Sequence, residues 1–145
     1  MNATIQFVDN MRFMGVAESG HAVLLDTSQK NGGNASAPSP MEMVLFALGT
    51  CSGMDVVSIL RKKRIPIEHF SIEAAGTRRD EHPRIFTDIR LTYKFRGPNL
   101  AANRKALEDT VRLSQEKFCS VAGMLAATVK LTWQVEILES TDTAG

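Results

Sequence analysis

The chain has 145 residues, a length that suits one domain with a buried hydrophobic core. Apolar residues make up 43% of the chain and charged residues 23%, which is ordinary for a globular protein. Disorder is therefore expected only in the small polar tail at residues 140–145, which we predict to be frayed. The formal net charge of +1 gives no support to a nucleic-acid-binding protein.

The N-terminal sequence MNATIQ lacks the basic region and apolar stretch of a signal peptide. No run reaches the roughly 18 uninterrupted apolar residues of a membrane span. We therefore expect a cytoplasmic protein, in which thiols stay reduced, and its two cysteines lie too far apart in the sequence to indicate a disulfide scaffold.

Three short β-type runs open the chain, at residues 5–8, 12–16 and 22–25. Residues 28–40 contain NGGN and two prolines, which is typical of a loop. Good helix formers then predict a helix over residues 41–64, which Pro66 ends. The basic run RKKR at 61–64 is interpreted as the solvated last turn of that helix rather than as a phosphate site.

The first half of this helix is apolar on every side, because residues 43–48 read MVLFAL. A single sheet covers only one face of a helix, so such a segment needs cover from elsewhere. A second subunit would supply that cover, and the sequence therefore predicts a homodimer.

The remainder of the chain predicts strands and helices in alternation. Strict alternation at 70–74 and 85–95 indicates two antiparallel strands with one wet face, with Ile85 and Thr87 on the inner side, joined by the turn DEHP at 80–83. A helix is expected from Asn99, its N-cap, to residue 117, with Leu100, Leu107 and Val111 inside. A short helix at 119–125 and a strand at 129–137 complete a single α+β domain.

Two cysteines are the candidates for chemistry. Cys51 lies mid-helix in the small-residue segment GTCSG, where a molecule could approach the sulfur, although a small buried hydrophobe is the alternative. Cys119 starts a helical segment, where backbone N–H groups favour a thiolate, with a packed thiol as the alternative. The two form a redox pair only if the fold brings them together.

Other site chemistries are disfavoured by spacing. His21, His69 and His82 have no metal-ligand spacing to one another or to a cysteine. The sequence also lacks a nucleophile-elbow motif, and NGGN runs into a proline-rich loop instead of the helix that a phosphate loop precedes.

Two motifs are similar to those of a known family. The run SPMEM at 39–43, leading through LFALG at 45–49 to Cys51, resembles the segment before the first cysteine of OsmC/Ohr proteins. The run FCSVA at 118–122 resembles their second-cysteine motif, and the order of strands and helices matches from end to end. Within the family, the chain most resembles the YhfA-like branch.

This resemblance implies an OsmC-like α+β fold, with antiparallel sheets packed on long central helices in an intertwined homodimer. It also implies a thiol-dependent reduction of organic hydroperoxides as a defence against oxidative stress. Cys51 would become a sulfenic acid, Cys119 would resolve it as a disulfide, and a dithiol such as a lipoyl group would restore both thiols. No metal or organic cofactor is implied.

The family activates its first cysteine with an arginine held by a glutamate. The corresponding candidates here are Arg12, the only arginine before Cys51, and Glu42. Two positions depart from the family pattern: Met41 stands where the glutamate usually follows the proline, and Ser120 stands where a proline is common. Two alternatives therefore stay open, namely a binding protein for an apolar acyl-type ligand and a dimeric scaffold with structural cysteines.

Overall fold

A computed structural model describes residues 1–139, so the predicted frayed tail at 140–145 lies outside the described residues. The backbone divides into two compact units, one covering Met1–Phe46 and the other starting at Ala47. The prediction of a single domain stays a prediction. Each unit is built on a three-stranded sheet.

The first unit contains an antiparallel sheet in chain order. Its strands are β1 (Ala3–Asp9), β2 (Arg12–Ala17) and β3 (Ala22–Leu25), and they agree with the three predicted runs to within two residues. Phe7 and Phe13 are register partners, and their rings meet edge to face with centroids 5.6 Å apart. Such a cross-strand aromatic pair fixes the register, because a slip of one residue would move both rings to the other face.

The loop after β3 is organised around one buried carboxylate. Asp26 accepts hydrogen bonds from the backbone N–H groups of Thr27, Asn34 and Ser36 and from the Ser36 hydroxyl. These bonds, chiefly those of Ser36, lower the pKa of Asp26 to about 2. The loop predicted at residues 28–40 is therefore an ordered turn that leads into the following helix.

The long helix α1 spans Pro40–Lys62, close to the predicted 41–64. It ends in a Schellman motif: Arg64 adopts a left-handed φ of 57°, and the N–H of Ile65 donates to the carbonyl of Leu60 at 3.0 Å. The basic run at 61–64 is exposed, as predicted. The side chains that α1 buries lie four residues apart on one stripe, namely Leu48, Ser52, Val56 and Leu60.

The second sheet belongs to the second unit and has the order β4-β5-β6, with strands β4 (His69–Arg78), β5 (Phe86–Arg96) and β6 (Lys130–Ile137). β4 and β5 are antiparallel, as predicted, but β6 runs parallel to β5. The expectation of purely antiparallel sheets was thus wrong for β6. The helical segment between β5 and β6 is long enough to return the chain to the same end of the sheet, which a parallel pair requires.

A bulge changes the predicted inner face of β5. Thr77 pairs with Asp88 and Arg78 pairs with Phe86, so Thr87 is the extra residue of the shift. Phe86 is therefore buried, while Thr87 and Ile85 are exposed. Beyond the bulge the predicted inner residues Ile89, Leu91, Tyr93 and Phe95 are all buried, but Thr92, predicted on the wet face, is buried as well.

The predicted helix at 99–117 is divided into three parts. Asn99 is not its N-cap: it has a left-handed φ of 57° and precedes a 3-10 turn at Ala101–Asn103. Helix α2 then covers Arg104–Leu113, and a π-helix follows at Ser114–Phe118. The predicted inner residues Leu100, Leu107 and Val111 are buried. Helix α3, Ser120–Leu125, confirms the short helical segment expected after it.

Of the helices in residues 1–139, α1 is long and apolar enough to cross a membrane by length and composition. Within the second unit, however, α1 packs closely on β4. A Cβ added at Gly53 would lie 3.3 Å from Cδ1 of Ile72 and 3.8 Å from the ring of Phe70. The small residue at position 53 thus allows strand and helix to approach, and it brings this part of α1 against the second sheet.

Candidate redox site

Cys51 lies in the middle of α1, flanked by Gly49 and Gly53, and is partly buried. A Cβ at Gly49 would contact Ile72 at 3.9 Å, so both glycines face β4. The small residues that the sequence suggested as access to the sulfur are therefore used, at least in part, for helix–sheet packing. Because Cys51 lies in the middle of α1, it is distant from the N-terminus of its own helix.

Cys119 is the N-cap residue of α3 and follows the π-helix directly. It is buried, with 4% of its surface exposed. Its sulfur accepts a hydrogen bond from the backbone N–H of Ala122 at 3.4 Å, and its own N–H donates to the carbonyl of Ser114 at 2.7 Å. Backbone contacts therefore hold the residue on both sides.

The structure places the side chains of Cys51 and Cys119 close together, because Cys51 contributes to the pKa of the Cys119 thiol. Burial is the larger cause and, together with the adjoining Cys51, raises that pKa to about 11. The N–H groups of Ala122 and Val121 lower that pKa but do not outweigh burial. The helix start that the sequence suggested as a thiolate site therefore holds a thiol that is protonated at neutral pH.

A buried cluster of polar side chains adjoins the cysteine pair, and we call it the hydroxyl cluster. Ser52, the residue after Cys51, has its Oγ 2.6 Å from the Tyr93 hydroxyl and 2.9 Å from Ser114 Oγ. The Gln115 amide donates to Ser52 Oγ at 3.1 Å and to the Tyr93 oxygen at 2.8 Å, and Ser114 Oγ donates to Asp55 Oδ2 at 2.9 Å. Burial raises the pKa of Tyr93 to about 12, so its hydroxyl keeps its proton.

No sequence motif marks this cluster, because its members come from α1, β5 and the π-helix. One signal was available at Tyr93, which occupies an inward position of β5 and carries a hydroxyl that must find a partner when buried. The partners themselves, Ser114 and Gln115, lie where a regular α-helix was predicted. The π-helix that orients these two side chains could not be predicted from the spacing of hydrophobic residues in the sequence.

Arg12 and Glu42 each have a different partner from the one expected of an arginine–glutamate pair. Arg12 lies at the start of β2, where its guanidinium forms a two-point ion pair with the Asp9 carboxylate, with Nε 2.5 Å from Oδ1. Glu42 forms a capping box at the start of α1: it accepts from the backbone N–H of Ser39 at 2.7 Å, and the Ser39 hydroxyl accepts from the Glu42 N–H at 3.3 Å.

These contacts shift the titration of both exposed groups. The Asp9 carboxylate raises the pKa of the Arg12 guanidinium further above its ordinary value. The Ser39 N–H lowers the pKa of Glu42, so its carboxylate is ionised at neutral pH. Arg12 is therefore cationic and Glu42 anionic at neutral pH.

Within residues 1–139, no group of three or more His, Cys, Asp and Glu side chains is placed to hold a metal ion. His21 is 3.0 Å from the Ser19 hydroxyl through Nδ1. His82 lies in the turn between β4 and β5.

Comparison with known proteins identifies the fold family. Residues 32–134 match the family model described as OsmC-like protein. The chain belongs to the OsmC-like family. A curated member of similar length, Protein YhfA of Escherichia coli K12, is 43% identical over 138 residues, which cover 95% of this chain and 98% of the relative. Its name states no activity.

Two solved structures share this fold along most of their length. A hypothetical protein from Aquifex aeolicus VF5 is 32% identical with a TM-score of 0.77, covering 95% of this chain and 97% of that one. An organic hydroperoxide resistance protein OsmC from Legionella pneumophila is 14% identical with a TM-score of 0.69, covering 94% and 97%. The Legionella structure, at this identity, supports the fold alone.

Proposed function

We propose that this OsmC-like protein reduces organic hydroperoxides with Cys51 as the attacking sulfur and Cys119 as the resolving sulfur. The observation that carries the proposal is that the side chains of Cys51 and Cys119 lie close enough to interact. Family membership supports it, because the family includes proteins named for organic hydroperoxide resistance. The difference in burial supports the division of roles, because Cys51 is partly exposed and Cys119 is buried.

The first step would consume the peroxide. The Cys51 thiolate attacks the terminal oxygen of ROOH, a sulfur–oxygen bond forms, and the oxygen–oxygen bond breaks. The alkoxide takes up a proton and leaves as the alcohol ROH. Cys51 is thereby oxidised to a sulfenic acid while the peroxide is reduced by two electrons.

The second step would use the adjoining thiol. The Cys119 sulfur attacks the sulfenic sulfur of Cys51, and the S–S bond replaces the S–O bond. The proton that Cys119 retains at neutral pH leaves with the sulfenic oxygen as water. A protonated, buried resolving thiol has a clear advantage here, because it does not compete with Cys51 for peroxide.

The cycle would be closed by an external dithiol. Two thiol–disulfide exchanges transfer two electrons to the Cys51–Cys119 disulfide and oxidise the dithiol to its own disulfide. We include a cytoplasmic setting in the proposal, because reduced thiols persist there. Neither a metal ion nor an organic cofactor takes part in these steps.

Activation of Cys51 is assigned to Arg12 and Glu42. A positive charge beside a thiol favours its thiolate form, which is the nucleophile in the first step. Arg12 supplies a permanent charge, which the structure pairs with Asp9. Glu42 supplies a carboxylate at the start of the helix that carries Cys51.

We also propose that the protein acts as a homodimer. Only 22% of the most apolar window of α1 is buried by its own chain. Met54 on α1 is 72% exposed, and on the first sheet Phe7 is 62% exposed. A second copy that covered these surfaces would remove their apolar area from water. Such burial stabilises an assembly by about 25 cal/mol for each Å² of apolar area. The exposed apolar surface therefore supports a second subunit, which the apolar sequence of α1 also predicts.

The decisive experiment compares turnover of cumene hydroperoxide by the native protein and by Cys51→Ser, with dihydrolipoamide as the reductant. We expect steady consumption by the native protein and only the uncatalysed rate with Cys51→Ser. Cys119→Ser should accumulate a sulfenic acid on Cys51 that dimedone traps. Equal rates for native and Cys51→Ser protein would refute the proposal and favour a ligand-binding protein or a scaffold.

A further inference from the structure

Ser114 connects the surroundings of one cysteine with the backbone of the other. Its side chain is bonded to Ser52, the neighbour of Cys51, and to Asp55, one turn further along α1. Its carbonyl accepts the N–H of Cys119 at 2.7 Å, which is the bond that closes the π-helix. A single buried residue thus links α1 at Cys51 with the segment that carries Cys119.

The proton positions in the hydroxyl cluster follow from its donors and acceptors. The Asp55 carboxylate can only accept, so the single proton of Ser114 points to Asp55, and Ser114 must accept from Ser52. The Ser52 proton is then used, so Ser52 accepts from Tyr93 and from Gln115. The hydrogen bonds therefore run in one direction, from Tyr93 through Ser52 and Ser114 to the carboxylate.

Such a one-way arrangement stabilises one position of Ser114. In the chain that ends at Asp55, every hydroxyl proton is used, and the last bond is charge-assisted. The fully buried Ser52 and Ser114 cannot exchange a lost partner for bulk water. Displacing Ser114 would therefore break bonds at several residues, which makes it a rigid anchor.

The anchor supports a segment that needs support. A π-helix of one turn is uncommon and rarely persists without stabilising contacts. Here its first residue is Ser114, its second is Gln115, and both side chains bond into the hydroxyl cluster. The cluster thus stabilises the turn whose C-terminal end places Cys119 beside Cys51.

We propose that Ser114, held by Ser52 and Asp55, is a positioning residue that sets the proximity of the Cys119 sulfur to the Cys51 sulfur and so favours their disulfide. This inference rests on the proposed function, because it requires the two cysteines to form a disulfide. It goes further by assigning the pairing of the sulfurs to a hydrogen-bonded cluster that includes neither cysteine.

The test measures the equilibrium between the dithiol and disulfide forms in mixtures of reduced and oxidised dithiothreitol at pH 7. In this exchange the two cysteines lose two protons and two electrons and form one S–S bond, and the cyclic reagent disulfide gains them and becomes the dithiol. Acid quenching and mass spectrometry give the ratio of the two forms, from which the effective concentration of one thiol at the other follows.

We expect Ser114→Ala to lower this effective concentration about tenfold, the ratio that corresponds to one lost hydrogen bond. Asp55→Ala removes one hydrogen-bond partner of Ser114 but keeps the Ser114 hydroxyl, so it should lower the effective concentration by a smaller factor. This variant replaces Ser114→Ala in the test if Ser114→Ala does not fold. Tyr93→Phe is the matched control. It removes a bond of the same cluster but leaves Ser114 bonded to Ser52 and Asp55, so thermal stability should fall while the effective concentration stays native.

The outcomes separate this inference from the function on which it rests. If the native protein forms no Cys51–Cys119 disulfide, the proposed function fails, and the inference fails with it. If the native protein forms the disulfide and Ser114→Ala and Asp55→Ala match it, only the inference is overturned. An equal loss in Tyr93→Phe and Ser114→Ala would also overturn it, because the cluster would then act through general stability.

Discussion

The thiol of Cys119 adjoins the thiol of Cys51, although Cys51 lies on the long helix α1 and Cys119 lies at the start of the short helix α3. The two sulfurs occupy different environments. Cys119 is buried and its pKa is about 11, whereas Cys51 is partly exposed. A pair with this asymmetry suits a division between an attacking and a resolving sulfur.

Cys119 should resist alkylation until the pH is far above neutral. Because its pKa is raised, the unreactive protonated thiol persists over a wider pH range than in the unfolded chain. The rate of its modification by iodoacetamide, followed by peptide mass spectrometry, should still be rising at about pH 10. In the urea-unfolded chain the rate should reach half of its maximum near the ordinary pKa of 9.0. A half-maximum at or below pH 9.0 in the folded protein would show that burial does not protect the thiol.

The sequence predicted the elements of the fold well, and the reasons for its misses are local. The strands β1 to β3 and helix α1 were recognised because alternation and the stop at Pro66 are encoded within each segment. The prediction that Ile85 and Thr87 lie on the inner side of β5 was wrong, because the bulge in β5 depends on how β4 pairs with β5. Asn99 was wrong as an N-cap because its left-handed backbone starts a 3-10 turn before α2.

The site was predicted less completely than the fold. Cys51 and Cys119 could be chosen as candidates because cysteine is rare and each lies in a recognisable motif. Their contact could not be derived, because it depends on how the segment after α2 returns to α1. The roles of Ser114 and Tyr93 were missed for the same reason. Their hydroxyls form the hydrogen-bonded cluster only when α1, β5 and the π-helix come together in the fold.

We expect Arg12→Ala to slow the alkylation of Cys51 near neutral pH. The proposed role requires the guanidinium to favour the thiolate over the thiol. The measurement is the pH profile of iodoacetamide labelling at Cys51. Arg90→Ala, which removes an exposed arginine from strand β5, is the control and should leave the profile native. An unchanged profile in Arg12→Ala would remove Arg12 from the mechanism.

Two variants of Glu42 separate its capping contact from a role in catalysis. Glutamine can still accept from the Ser39 N–H, so Glu42→Gln should keep the native melting temperature, whereas Glu42→Ala should lower it. If the carboxylate also supports the activating arginine, Glu42→Gln should reduce hydroperoxide turnover several-fold. Native turnover in both variants would restrict Glu42 to capping α1.

Met54→Asp should convert the protein from a dimer to a monomer in sedimentation velocity. The exposed Met54 lies on the apolar helix that a second copy would cover, and an interfacial carboxylate would be desolvated without a partner. Thr132→Asp places the same charge at an exposed position of β6 and should remain dimeric. A native protein that sediments as a 15.9 kDa species at micromolar concentration would contradict the homodimer.

The proposed function requires a disulfide between Cys51 and Cys119, and one mass spectrum tests this disulfide most directly. The reduced native protein is treated with one equivalent of cumene hydroperoxide, quenched in acid and digested without reductant. We predict one peptide pair linked between Cys51 and Cys119 and its absence in Cys119→Ser. Two free cysteines after the peroxide is consumed, or a linkage between two copies of the same cysteine, would contradict it.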